Sequence, residues 1–257
     1  MKKITVIFCG IAIFCLSFKP VRNVDVYSSD DRKTVNLIGG LSQQDVAEKV
    51  LNKLKVLNQY YETNRNYAVD VTHMLFSSVD NPVVEERFTG FYKTMDGMEH
   101  SLLLGIETVQ NHEIRVNIDT NSHTISISNV QKPVVFSITE LKQSMKVSRN
   151  IKLSESDSLD IISFEFDVTR YPLYKLDIAI SKNRIVSIDM YHAEKTDNNK
   201  GEKVYPHTRV EYSNYVENLR MKKRDFDVSD IVVKTDNTYE PDNAYKDYRI
   251  YDLRVKK

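Results

Sequence analysis

The sequence predicts an α+β fold that is mainly β: a strongly curved antiparallel half-barrel of about eight to nine strands wrapped over one long N-terminal helix, with a second short helix. Three observations carry this. From Leu159 to Val216 apolar and polar residues alternate through consecutive hairpins, and period-2 alternation gives a strand one buried and one solvated face. Ahead of the strands, Val46, Val50, Leu54, Leu57 and Tyr61 recur at helical spacing. With 257 residues the chain can bury a full core, and only seven glycines and six prolines punctuate it, which suits one domain of consecutive hairpins.

In chain order, Lys2 and Lys3 form a basic start and Ile4 to Leu16 an apolar run too short to span a bilayer. Residues 1–17 therefore read as a signal peptide cleaved after Ser17. Both cysteines, Cys9 and Cys15, lie inside it, so the mature chain has no thiol for a disulfide, a nucleophile or a metal site. Phe8 and Phe14 precede the cysteines where a lipobox wants a small residue. Plain export to the periplasm is expected, with lipidation of Cys15 and outer-membrane anchoring as the alternative. Residues 18–40 are polar, end in Gly39-Gly40 and read as an extended linker.

Ser42, with Asp45 three residues on, caps a helix near residues 42–62, whose opposite face carries Gln44, Glu48, Lys49, Lys53 and Lys55. Tyr67, Val69, Val71, His73 and Leu75 then alternate with polar residues, Asp80-Asn81-Pro82 turns the chain, and Glu86 to Thr94 returns it. Asp96-Gly97 is a hairpin signal, and residues 99–108 place Leu102, Leu104 and Ile106 on one side. His112 to Asp119 and Thr124 to Ser128 follow, then Ser137 with Glu140 opens a short helix through Met145, and residues 147–158 read as a loop. In the best-patterned stretch Ile162, Phe164, Phe166 and Val168 share a face, as do Leu176, Ile178 and Ile180; Lys182-Asn183 turns into Val186, Ile188 and Met190. After a polar loop, Thr208, Val210, Tyr212, Asn214 and Val216 share one face, with Arg209, Glu211, Ser213 and Tyr215 on the other. The half-barrel domain spans residues 41–233. The tail, 234–257, spaces Tyr239, Tyr245, Tyr248 and Tyr251 among Asp and Lys, a pattern for an interface, a last strand or a mobile end.

This order of elements resembles the LolA/LolB-like outer-membrane lipoprotein carrier superfamily over about residues 41–233. The most telling part runs from Tyr174 to Val228, through "YKLDIAI", "NRIVSIDMYHAE", "TRVEYSNYVEN" and "RDFDVSDIV", with Phe226 and Val228 at the end. The resemblance implies an unclosed barrel with a helical lid that binds acyl chains of lipoproteins or lipids, or a protein partner. The chain departs from that pattern in lacking tryptophan, and Arg87, Arg115 and Arg170 are equal candidates for the family's functional arginine.

Lys plus Arg and Asp plus Glu are 36 each, so no strong field draws the chain to nucleic acid. None of the six histidines shares an element with another at metal-ligand spacing. No G-x-S-x-G, H-E-x-x-H or phosphate loop is present, so neither an enzyme, a metal nor a cofactor is expected. His73 is either a satisfied core histidine or a polar handle in a cavity. The stripe Phe88, Leu102, Leu104, Ile162, Phe164, Phe166, Val186, Ile188 and Met190 is either packed core or the lining of a groove, because one helix of about twenty residues covers few of eight or more strands. Arg220, Lys222, Lys223 and Arg224 form a basic cluster, a solvated loop or a contact for anionic head groups or an acidic partner. Two functions follow as expectations: a periplasmic carrier or sensor of acyl chains, and a non-enzymatic subunit of an envelope or secretion assembly that docks an envelope protein through residues 19–40 or 234–257.

Overall fold

The computed structural model describes residues 42–79, 82–133, 138–197, 200–236 and 238–254; the segments read above as a signal peptide and a linker, and Asn81 and Ser137, lie outside them. Helix α1 (Gln43–Thr63) begins on the expected box: the Asp45 N–H donates to Ser42 Oγ (3.2 Å) and the Ser42 N–H to the Asp45 carboxylate (3.0 Å). Its buried residues are Val46, Val50, Leu54 and Leu57, the predicted stripe. Strands β1 (Tyr67–Phe76), β2 (Val84–Met95), β3 (Met98–Leu103), β4 (Ile106–Gln110), β5 (Ile114–Asp119) and β6 (Thr124–Asn129) form one meander, and α2 (Ile138–Val147) follows. A second meander runs through β7 (Asn150–Glu155), β8 (Asp160–Glu165), β9 (Leu173–Ser181) and β10 (Arg184–His192). The short pair β11 (Thr196–Asp197) and β12 (Lys203–Val204) leads to β13 (His207–Glu217), and β14 (Val232–Thr235), β15 (Thr238–Pro241) and β16 (Arg249–Asp252) end the chain.

Twelve strands make one curved, open sheet in the order β16-β6-β5-β4-β3-β2-β1-β13-β10-β9-β8-β7. Strand β13 joins the two meanders by pairing with both β1 and β10. The fold class is the predicted one, but the strands outnumber the eight or nine expected. Residues 99–108 are two strands, because Leu104 and Gly105 take positive φ (54° and 80°) and turn the chain back. Residues 147–158 contain β7, which pairs with β8. The tyrosine-rich tail is also structured: β14 and β15 form a hairpin, and β16 lies parallel to β6.

The apolar face changes sides along the sheet. In β7 to β10, β13 and β1 the apolar residues face α1 and α2, on what is termed the inner face, forming a core that includes Ile162, Phe164, Leu176, Ile178, Ile185, Val210 and Val71. Across β2 and β3 the register places Tyr92 opposite Ser101, Ser101 opposite Thr108, Thr108 opposite Asn117 and Asn117 opposite Ser126. Beyond β2 the inner face is therefore polar. The apolar residues Val109, Val116, Ile118, Ile125 and Ile127 point outward, where Val228, Ile231, Val232, Tyr239, Tyr245, Tyr248 and Ile250 cover them. The tail thus closes a second core, which needs cover as much as the first.

Candidate ligand-binding site

The aliphatic half of the inner face is packed. Ile162 and Phe164 are fully buried, and Phe166 and Ile188 are 9% and 8% exposed. A cleft of about 230 Å³ opens beside α1 at Asn52, Lys53, Val56, Asp160 and Ile180, smaller than the 300 Å³ or so at which ordinary ligand pockets begin. Polar groups tie α1 down at its middle and near its C-terminus. Lys53 Nζ reaches Glu155 (2.9 Å) and Asp160 (2.7 Å), while Tyr60 hydrogen-bonds both Glu217 and Arg184.

Two bulges shape the seat of the helix C-terminus. An extra residue near Val186 in β10 and one near Asn214 in β13, where φ is 51°, shift the strand registers. Each bulge reverses the alternation: Ile185 and Tyr215 turn inward, and Val216 is left 45% exposed. The Ile185 N–H donates to the Tyr61 hydroxyl (3.3 Å), the Tyr215 hydroxyl donates to the Ile185 carbonyl (3.0 Å), and the two hydroxyls bond each other (2.9 Å). Tyr67 stands among Tyr61, Tyr92 and Tyr215 with ring centroids 5.8, 5.9 and 6.3 Å away. Burial raises the phenol pKa of Tyr61, Tyr67, Tyr92, Tyr212 and Tyr215, so these groups stay neutral.

The polar half is held by its own ladder. Arg115 grips the Glu99 carboxylate with two bonds (2.7 and 3.2 Å), Thr108 donates to Asn117 (2.8 Å), and the fully buried Gln110 donates to the carbonyls of Gly97 and Gln131. Where the halves meet, three side chains on adjacent strands bury a polar atom that has no hydrogen-bond partner: Tyr212 on β13, His73 on β1 and Tyr92 on β2. Ser128 Oγ, at the far end of the row containing Glu99, Gln110 and Arg115, is a fourth. His73 is therefore a buried histidine whose Nε2 is left unsatisfied.

Burial pushes His73 down to about 4 from 6.5, and His192, which bonds Thr208 (3.1 Å), also to about 4. A depressed histidine favours the neutral form in the folded state. Its contribution is complete above pH 6.5 and is lost as pH falls from 6.5 toward 4, on the order of 3 kcal/mol per group. Denaturation midpoints are expected to fall across that window, and His73→Leu should flatten the slope. An equal slope in the variant would show that His73 is solvated.

The structure separates the predicted site residues. Ile162, Phe164, Phe166, Ile188 and Met190 come together under the helices. Val186 leaves that set because its bulge gives the inward position to Ile185. Phe88 is on the inner face beside His73 but 39% exposed, Leu102 projects outward opposite Phe91, and Leu104 occupies a turn. Arg220, Lys222, Lys223 and Arg224 are all exposed, in the segment that precedes the buried Phe226. Of the three arginines considered, Arg115 is the one in the polar ladder.

Sequence reading missed one buried polar group on the outer face. Asp189, a solvent-facing position by strand alternation, is 7% exposed and accepts from His207 Nε2 and Arg209 Nε, both at 2.6 Å. His207 stacks between Phe76 and Tyr191 at 4.7 and 4.5 Å. Desolvation raises the Asp189 pKa, but the two donors outweigh it and hold the carboxyl below its ordinary value. Strand alternation alone carries no signal for this, since the partners meet only across β10 and β13.

No protein-family model matches the chain, and no curated protein matches it. Among solved structures, the chain is similar to an uncharacterized conserved protein from Thermus thermophilus, with 8% identity and a TM-score of 0.41 over 78% of this chain and 99% of that one. It is also similar to a putative outer membrane lipoprotein-sorting protein domain from Vibrio parahaemolyticus, at 8% identity and TM-score 0.29 over 70% of this chain and 97% of that one. A LolA superfamily protein from Nitrosomonas europaea gives 8% identity and TM-score 0.28 over 73% of this chain and 98% of that one.

Proposed function

We propose that this is an exported binding protein that holds an acyl chain of a lipid or lipoprotein between α1 and the aliphatic half of the inner face, with α1 as a movable cover. The observation that supports this reading is the way the cover is fastened. An amphipathic helix, with α2 beside it, closes a continuous aliphatic surface, and at its middle and its C-terminal turn it is tied by polar contacts whose lysine and arginine side chains are 28% and 29% exposed. Partly exposed ion pairs are worth about 1 kcal/mol or less each. An acyl chain that replaces the helix stripe gains about 0.8 kcal/mol per buried methylene, so a long chain competes with the helix without any polar motif.

Cutting both ties tests the cover. Lys53→Ala with Arg184→Ala is expected to raise the affinity for a fluorescent fatty acyl probe several-fold, while the wild-type protein purified from its source carries lipid mass in native mass spectrometry. If neither the wild type nor the variant takes up any probe, the inner face is simply a core.

A further inference from the structure

We infer that the turn carrying Arg220, Lys222, Lys223 and Arg224 is a docking surface for a membrane of anionic phospholipids. No other five-residue stretch of the chain holds four charges of one sign. All four side chains are exposed, and among the described residues none of them enters an ion pair. The turn is held at both ends. On one side the Asn218 N–H donates to the Asn66 carbonyl (2.9 Å), in the connection between α1 and β1. On the other, past the short 3-10 turn Lys223–Phe226, the chain is anchored by Phe226, which is 1% exposed, and by Val228 of the second core. Between Asn218 and Val228 two carboxylates stand against the four cations, and both brace the backbone: Asp225 accepts from the Lys222 N–H and Asp227 from the Ser229 N–H, each at 2.9 Å. Arg65 and Asp96, brought beside this tie by Asn66, offset each other.

The chemistry of the turn selects a lipid surface over a protein. A protein partner is gripped through a few anchors, most often aromatic, seated in desolvated pockets. Here four flexible cations follow one another on an exposed turn with no aromatic residue among them. A bilayer needs no such seat, because its head groups move to meet the cations that face them, and each lysine or arginine held near an anionic surface strengthens binding about fivefold. Since Lys plus Arg and Asp plus Glu are 36 each, the chain as a whole has no net charge to draw it in, so this turn sets the orientation. Docking by it turns the C-terminal end of α1 toward the bilayer, because Glu217, which Tyr60 and Arg184 contact, directly precedes Asn218.

The test titrates the full chain with two kinds of vesicle, phosphatidylcholine alone and phosphatidylcholine with one part in four of phosphatidylglycerol, at about 0.1 M salt. Any pull of residues 1–17 on the bilayer is then common to every protein compared. The wild type is expected to bind the anionic vesicles about a hundredfold more tightly. Arg220→Gln, Lys222→Gln, Lys223→Gln and Arg224→Gln together should abolish that preference without lowering the melting temperature, since all four side chains are exposed. Lys195→Gln with Lys203→Gln, which removes two exposed cations at the opposite end of β13, should keep it. Should the fourfold variant fail to fold, Arg220→Gln with Lys222→Gln is set against that control, with a loss of about twentyfold expected. Equal binding of both vesicles by the wild type overturns the inference, as does a variant of the turn that keeps the preference or a control that loses as much. A wild type that ignores vesicles but is retained on immobilised polyglutamate through these four residues overturns it in favour of an acidic protein. The inference stands apart from the cover reading: anionic vesicle binding without uptake of an acyl probe supports it, and uptake without vesicle binding overturns it alone.

Discussion

Phe164→Glu is expected to unfold the half of the protein built around α1. Phe164 is fully buried on β8, opposite Ile151 of β7 and Leu176 of β9, in the core that α1 and α2 close. A carboxylate there either ionises without a partner or folds only as the neutral acid, and either route costs several kcal/mol, a large share of an ordinary domain's stability. Phe164→Leu keeps most of the apolar volume and should cost about 1.5 kcal/mol or less. Urea melts followed by circular dichroism would separate the two. A Glu variant with the wild-type midpoint would mean that water already reaches this face and that the packing beneath α1 is open.

Gly90→Val is expected to have the second large effect, through the backbone. A Cβ built on Gly90 would lie 1.9 Å from the carbonyl oxygen of Leu102. Because the obstacle is the main chain of the neighbouring strand and not a flexible side chain, relief requires β2 and β3 to part. A cost of about 3 kcal/mol or more follows. The position lies between Val71 of β1 and the end of β3, where the apolar face of the sheet passes from inner to outer. Hydrogen exchange should show the loss of protection concentrated in β2 to β4. If Gly90→Val melts as the wild type does, the strands are not held as closely as this contact requires.

Local signals in the sequence were sufficient for the elements themselves. The Ser42 and Asp45 box and the Val46, Val50, Leu54, Leu57 stripe specified α1 because capping and helical period involve residues only three or four apart. Asp96-Gly97 and Lys182-Asn183 specified hairpins because each pair tolerates the positive φ the tight turn demands. Leu104-Gly105 adopts the same geometry, but its first residue carries no turn preference, so the pattern reads as one strand where there are two.

What alternation cannot encode is which of a strand's two faces meets a cover, since both choices have the same period. In β4 to β6 Val109, Ile114, Val116, Ile118, Ile125 and Ile127 face away from α1 because the 226–252 segment arrives from the far end of the chain to bury them. That arrival also makes the opposite, polar face an inner one and buries Glu99, Ser101, Thr108 and Gln110 in it. The bulges at Val186 and Asn214 follow the same rule: one added residue reverses every side chain beyond it, and only the fit of Tyr61 against Ile185 and Tyr215 reveals where it falls. The sequence by itself determined the helix, most strand boundaries and the curved α+β class, since those depend on neighbours along the chain. The tertiary structure alone decided the side on which each strand is buried, and with it the junction of His73, Tyr92 and Tyr212, because that choice belongs to contacts between residues far apart in sequence.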